Sequence, residues 1–324
     1  MNRRDFVILV GGAASALSRA KAFAARTMAR IGLLSIAPPP KDLDVPDPLT
    51  PALNALGWRD GETCRFEIRS ANGDISSLPR LAAELVALRP DILIGIGSTE
   101  TKALQSATNE IPIVFVTSSD PVGYGIVDSI ARPGRNATGT TVSPQMLWGK
   151  RLELIAELLD HQPSKVAWFD NPDYVSAKLN LAAAMQSAEK LGVKVERWEL
   201  RKPDDLDRVL ATTGCEAILV QYIALTLVYR SQIAEMAIRH RLPSIYEVKE
   251  YVDAGGLISY GTDVKENFRL AAHYVDRILK GARPGDLPVI EASRFELVIN
   301  VKTAKSLGLT VPPSLLARAD EVIE

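Results

Sequence analysis

Short apolar runs alternate with segments whose apolar residues return every three or four positions, from Ile31 to Lys280. A short, fully apolar run bounded by turn residues suits a strand buried on both faces of a parallel sheet. A three-four spacing suits a helix with one buried face. Ile31-Gly32-Leu33-Leu34-Ser35-Ile36 predicts a first strand that ends at Pro38-Pro39-Pro40, and residues 63–68 predict a second. Leu78, Leu81, Leu85 and Leu88 predict a helix over 76–88. Ile92-Leu93-Ile94-Gly95-Ile96 predicts a buried strand, followed by a helix over 99–108 and a strand over 111–116. Arg132-Pro133-Gly134-Arg135-Asn136 is turn chemistry. A long amphipathic helix is expected over 144–160, with Ser143 as its cap and Pro144 at its first position.

The second half repeats this rhythm. Strands are expected over 166–169, 193–200, 217–221, 243–246 and 256–260, with helices over 174–191, 204–211 and 224–240. A helix over 267–280 follows, with Leu270, Tyr274 and Ile278 on one face; a strand over 295–299 and a Pro-bounded tail come after it. Strands alternating with helices predict α/β architecture with parallel sheets wound on both faces. The order of Asp91-Ile92-Leu93-Ile94, a helix, then Ile111-Pro112-Ile113-Val114 returns as Glu216-Ala217-Ile218-Leu219-Val220, a helix, then Leu242-Pro243-Ser244-Ile245. Duplication of a lobe and convergence on a common βαβ unit both produce such an echo.

Length changes the picture from one core to two. The chain has 324 residues, more than a single hydrophobic core usually organises, so two lobes are expected. Its start is of another kind. Arg3-Arg4-Asp5-Phe6, an apolar run to Leu17 and the small-residue stretch Ala22-Phe23-Ala24-Ala25 have the layout of a twin-arginine export signal, with cleavage expected near Ala24. The apolar run is too short for a membrane-spanning helix. No cysteine lies near the cleavage point, which disfavours a lipid anchor, and the expected location is the periplasm. Removing residues 1–24 takes away Arg3, Arg4, Arg19, Lys21 and Asp5, so the formal charge falls from −1 to about −4. A nucleic-acid binder needs a basic face, so that class is disfavoured. Cys64 and Cys215 are far apart beside strand-like runs; two separate buried thiols are favoured over a single disulfide.

Catalytic signatures are sparse. Gly95-Ile96-Gly97-Ser98-Thr99-Glu100 follows a strand and opens a helix, but Glu100 stands where a dinucleotide fingerprint has its third glycine. There is no phosphate loop of the Gly-x-x-x-x-Gly-Lys type and no Gly-x-Ser-x-Gly elbow. His161, His240 and His273 lack ligand spacing, and neither a metal nor a cofactor is expected. Polar groups instead collect at the C-terminal ends of strands, where doubly wound sheets bind ligands. Ser35, Ser98, Thr99, Ser119 and Asp120 stand there in the first half; Asn171, Tyr174, Tyr222 and Tyr246 stand there in the second. Ser98 and Thr99 open a helix, whose free N–H groups favour an anion such as a guest carboxylate. Individually, Ser98, Asn171 and Asp173 also suit plain helix caps, and Asp120 a turn before Pro121.

Several stretches together resemble the substrate-binding protein family of ABC transporters that includes tryptophan- and tyrosine-type binders. They are Arg3-Arg4-Asp5-Phe6, Ser119-Asp120-Pro121-Val122-Gly123, Arg132-Pro133-Gly134-Arg135-Asn136-Ala137-Thr138-Gly139, Ala254-Gly255-Gly256-Leu257-Ile258-Ser259-Tyr260-Gly261, and the tail from Phe295 through Pro312-Pro313-Ser314-Leu315-Leu316. The resemblance implies a type I periplasmic binding fold, with two Rossmann-like lobes joined by a three-segment hinge. Crossings near Ser143, Gly261 and Leu287 would put 27–143 plus 262–287 in the N-terminal lobe and 144–261 plus 288–324 in the C-terminal lobe. It implies a non-enzymatic monomer that captures a small organic solute, amino-acid-like or an aromatic acid, and presents it to an inner-membrane ABC permease. It supports Ser98, Thr99, Ser119 and Asp120 as ligand residues, with Asn171, Tyr246 and Tyr260 opposite. Gln221-Tyr222-Ile223-Ala224-Leu225 departs from the family pattern, at a place that would set substrate choice. Two rivals share the architecture: an enzyme, which would need a nucleophile or acid–base pair, and the effector domain of a lac-repressor-type regulator, which would need an N-terminal DNA-binding helix-turn-helix.

Overall fold

The structure is a computed structural model that describes residues 28–38, 48–142, 144–202, 205–206, 214–292 and 294–324. The expected export signal, the Ser143 cap and most of the helix expected over 204–211 lie outside the described residues. In chain order the first half runs β1 (Ala29–Ser35), α1 (Leu49–Ala55), β2 (Cys64–Ser70), α2 (Leu78–Ala87), β3 (Ile92–Ile96), α3 (Ser98–Ala107), β4 (Ile113–Ser118), β5 (Ala137–Thr141) and α4 (Pro144–Leu159). Then come β6 (Lys165–Asp170), α5 (Ala177–Lys190), β7 (Lys194–Glu199), β8 (Ala217–Val220), α6 (Ala224–Val228), α7 (Arg230–Arg239), β9 (Ser244–Tyr246), α8 (Glu250–Asp253) and β10 (Ile258–Thr262). The last stretch is α9 (Val264–Leu279), β11 (Ile290–Glu291), β12 (Phe295–Asn300), α10 (Val301–Ser306), α11 (Pro313–Leu316) and β13 (Glu321–Ile323).

Two sheets organise these elements. The first has the order β2-β1-β3-β4-β5-β11, and every pair in it is parallel. The second has the order β7-β6-β8-β9-β10-β12-β13. Its pairs are parallel except β10 with β12, where Tyr260 faces Leu297. The first five strands of each lobe are therefore wound in the same order, and the echo noted in the sequence falls on the equivalent units β3-α3-β4 and β8-α6-α7-β9. The apolar runs explain the centres of both sheets: Ile92, Leu93, Ile94, Ile218, Leu219 and Val220 have no exposed surface. Asp263 caps α9 by accepting from the Lys265 N–H, and α9 packs on β4 and β5. Trp58 ties α9 down by donating to Asp276 Oδ1 at 3.0 Å.

Three features differ from the expectation, each for a physical reason. Strand β5 is Ala137-Thr138-Gly139-Thr140-Thr141 and is buried throughout, although it shows no apolar run. It tolerates burial because its hydroxyls are partnered: Thr138 donates to Leu287 O at 2.7 Å, Thr141 donates to Ser118 O at 2.7 Å, and Thr140 accepts from the Thr117 N–H at 3.2 Å. Strand β11 pairs with β5, so the chain stays in the first sheet through Glu291 and crosses after it, beyond the crossing expected near Leu287. The helix expected over 224–240 is interrupted at Tyr229. Arg230 Nη1 donates to Leu227 O at 3.0 Å, so a side chain takes a backbone carbonyl at the break. Cys64 and Cys215 are both free and buried, one opening β2 and the other preceding β8.

Gly139 has extended backbone, but a Cβ there would collide with the carbonyl oxygen of Phe115 on the neighbouring strand. Gly139→Ala is expected to destabilise the protein by about 1–3 kcal/mol through overpacking. A lowered urea midpoint with an unchanged slope is the expected result.

Candidate functional site

Parallel strands deliver their C-terminal ends to one edge of a sheet, and here the edges of both sheets meet. From the first lobe come Ser35 at the end of β1, Ser98 and Thr99 at the start of α3, and 117–119 at the end of β4. From the second come 170–174 after β6, Gln221 and Tyr222 after β8, and Glu247 after β9. The lobes touch across this groove. Thr99 Oγ1 accepts from the Val175 N–H at 3.2 Å. Tyr174, Ala177 and Ile223 of the second lobe pack in the apolar cluster that holds Leu34, Ile36 and Leu104 of the first.

The first-lobe wall is a network of short hydroxyls. Ser98 Oγ lies 2.9 Å from Ser118 Oγ and accepts from the Ser119 N–H at 3.3 Å. Ser119 Oγ lies 3.2 Å from the Tyr124 hydroxyl. The register between β4 and β5 shifts between Phe115 and Ser118, and Thr117 sits inside this bulge with φ of 57°. A β-branched residue in the left-handed region is strained, and such strain collects at functional sites. Ser35 donates to the Ala37 carbonyl at 3.0 Å, and Asp120 accepts from the Gly123 N–H at 2.8 Å, as a turn residue does.

Glu100 changes the electrostatics of this wall. It is buried in the first turn of α3, and its Oε1 accepts from the Ile36 N–H at 3.1 Å. Its Oε2 lies 2.8 Å from where a Cβ of Gly97 would stand, at the helix N-terminus. The chain thus places its own carboxyl group where a guest carboxylate was expected. Burial pushes the Glu100 carboxyl up to about 8, against the pull of the backbone N–H groups of Glu100 and Ile36. Burial also raises the Tyr174 hydroxyl, with Glu100 adding to the effect.

The second-lobe residues divide into three groups. Asn171 Oδ1 accepts from the Asp173 N–H at 2.9 Å and so shapes its own turn. Asp170 is held beside it by two bonds from Arg197, at 3.0 and 3.1 Å. Tyr246 is fully buried, with its ring stacked on Tyr251 at 4.8 Å, and Tyr260 lies against Phe295 with ring centres 6.2 Å apart. Neither ring lines the pocket. Tyr222 does line it.

This pocket lies at the base of the groove, where two chain crossings pass. Its walls include Thr117, Val142, Arg151, Tyr222, Glu247 and Thr262, and its free volume is about 20 Å³, room for a water or two. Arg151 and Glu247 are the charged groups there. Arg151 projects from α4, with its guanidinium 4.2 Å from the centre of the Trp148 ring, and Trp148 packs edge-on to Trp168. Arg151 Nε donates to Tyr260 O at 2.8 Å, and Nη2 lies 3.7 Å from Glu247 Oε2. Glu247 Oε1 accepts from the Tyr222 N–H at 2.8 Å. Burial draws the Arg151 guanidinium down to about 10, with Glu247 opposing, so it stays cationic at neutral pH. Burial raises the Glu247 carboxyl, with Arg151 opposing.

Sequence reasoning missed Arg151, although a signal existed. It shares one helix stripe with Leu147, Trp148, Leu152 and Ile155, so a charge stands among buried apolar positions directly after the first crossing. Glu247 and Thr117 stood beside named candidates without being chosen.

Comparisons with known proteins agree with this architecture. The profile of the family described as ABC transporter substrate binding protein matches residues 37–323. A tyrosine-binding protein of Clostridioides difficile is 25% identical over 260 residues, covering 80% of this chain and 74% of that protein. A conserved domain protein from Vibrio cholerae, known from its crystal structure, is 29% identical with a TM-score of 0.83, covering 92% of this chain and 100% of that one. The structure of an ABC domain from Streptococcus pneumonia in complex with L-Trp is 26% identical with a TM-score of 0.81, covering 91% and 99%.

Glu100 makes a pH prediction whose sign is definite. Its folded value near 8 exceeds its ordinary 4.5, so between them the folded chain holds a proton that the unfolded chain releases. The associated stability is complete below about pH 4.5 and is lost as pH rises through about 8. Glu100→Gln removes this titration, so urea midpoints measured from pH 5 to pH 9 should move in favour of the variant as pH rises. Parallel curves for the two proteins would contradict the assignment.

Proposed function

The chain belongs to the ABC transporter substrate-binding protein family, with the type I periplasmic binding fold, and we propose that it captures a small organic solute outside the cytoplasm for an inner-membrane ABC permease. The guest is amino-acid-like or an aromatic acid. A related protein is named for tyrosine and a structural relative was solved with L-Trp, and the groove of this chain combines hydroxyls, a tyrosine and a buried charge pair. One chain holds a complete groove and acts as a monomer. The export signal expected in residues 1–24 would place it in the periplasm.

The observation that carries this reading is the meeting of two strand-end edges over one pocket. Because the chain crosses between the lobes on the floor of that groove, rotation about the crossings opens or shuts it. Open and shut forms exchange, and a guest that touches both lobes favours the shut form by its extra affinity for it. No bond is made or broken. The groove supplies hydrogen-bond partners and charge, with no nucleophile paired to a base among its described residues.

A thermal-shift screen of the mature protein against amino acids and aromatic acids tests this reading, since a guest that binds the folded state raises the melting temperature by mass action. No shift with any compound would reject it. The Thr99–Val175 bond spans the groove, so Thr99→Val should weaken guest binding by about fivefold to tenfold, the worth of one hydrogen bond. The melt of the ligand-free protein should move little. An unchanged calorimetric affinity would remove Thr99 from the closing contacts.

A further inference from the structure

The charges at the base of the groove are poorly served by the protein itself. Arg151 and Glu247 have side-chain exposures of 1% and 9%. Their closest approach is 3.7 Å, too long for a hydrogen bond. Arg151 Nη1 is buried with no hydrogen-bond partner among the described residues. A buried ion pair repays its desolvation only with close geometry and satisfied donors, and an apolar pair of similar volume often serves stability better. The neighbouring positions that could have extended an apolar core, Val142, Leu147, Val248 and Val264, instead form walls around the pair in the same pocket.

We propose that Arg151 and Glu247 read the two charged ends of an α-amino acid, its carboxylate on the Arg151 guanidinium and its ammonium on the Glu247 carboxylate, in a pocket that rotation of the lobes widens from the about 20 Å³ it holds here. This rests on the solute-capture reading above and decides between the two guest classes left open there. A carboxylate supplies the acceptor that Nη1 lacks and forms a charge-assisted bond. An ammonium gives Glu247 a cation at hydrogen-bond distance. An aromatic acid without an amine satisfies Arg151 alone, and a neutral sugar satisfies neither charge. The apolar walls and the Tyr222 ring favour an apolar or aromatic side chain on the guest. The helix N-terminus at Ser98 and Thr99 is already served by Glu100, so the carboxylate goes to Arg151.

Titration calorimetry on the mature protein tests the assignment with L-tryptophan, L-tyrosine and L-leucine, each beside its decarboxylated amine and its deaminated acid. At least one amino acid should bind about tenfold or more tightly than either of its truncated partners, as expected for losing a bond to a charged group. Glu247→Gln should weaken the amino acid while leaving the deaminated acid within about threefold. Arg151→Lys, which keeps the buried cation but loses the planar fork, should weaken the amino acid and the acid while sparing the amine. Ratios between probes are independent of the fraction of each variant that folds. Equal loss for all three probe types in both variants would overturn the proposal and leave the pair a structural role. Equal binding of amino acid and truncated partners by the wild type would overturn it too. Binding of a neutral solute but of no amino acid in the thermal-shift screen would overturn this assignment and leave solute capture standing; binding of nothing would end both.

Discussion

Parallel pairing forces neighbouring strands to end at the same edge of a sheet, and in this chain two such edges, one from β1 to β5 and one from β6 to β10, close on one groove. Most other features of the molecule follow from that constraint. A strand end leaves unpaired backbone groups, and a helix usually starts within a few residues, so hydroxyls and amides collect there to satisfy them. Ser98, Ser118 and Ser119 bond to one another in the first lobe, while Asn171 and the Asp170–Arg197 pair shape the facing rim. The same polar inventory that finishes the secondary structure lines the place where a guest would sit.

The floor of the groove is where the chain departs from economical packing. An arginine stands in the apolar stripe of α4, lies over Trp148, and meets a glutamate at a distance that gives neither group a hydrogen bond to the other. Beside them Thr117 holds a left-handed backbone within a bulge. Each feature costs stability on its own, and their gathering at one pocket is the pattern expected where strain and unsatisfied charge serve binding. Glu100 has a different relation to the fold. By turning its own carboxyl onto the start of α3, it occupies a position that helix starts elsewhere offer to anions.

Much of the fold was legible because its signals are local. Ile92-Leu93-Ile94 and Ala217-Ile218-Leu219-Val220 are too apolar to sit anywhere but inside a sheet covered on both faces. Strand β5 escaped notice because its threonines become buriable only when Thr117, Ser118 and Leu287 arrive to partner them. The third crossing shifted for the same reason, since β11 has only two residues and is defined by its pairing to β5. Of the named tyrosines, Tyr222 reaches the pocket, whereas Tyr246 turns into the core against Tyr251. The direction a side chain takes at a strand end depends on the exit of the following loop, which periodicity does not encode.

The order of apolar runs and amphipathic segments was enough to determine an α/β chain with polar residues at the strand ends, because burial on two faces and burial on one leave different spacings in a sequence, and the chain length pointed to two lobes. Which of those polar residues share a pocket was settled only in three dimensions. Arg151 and Glu247 are 96 positions apart in the chain, one on α4 and the other just after β9, and nothing beside either one points to the other. Their meeting depends on where α4 and β9 come to lie after the chain has crossed between lobes, and a distance of that kind is a property of the packed whole.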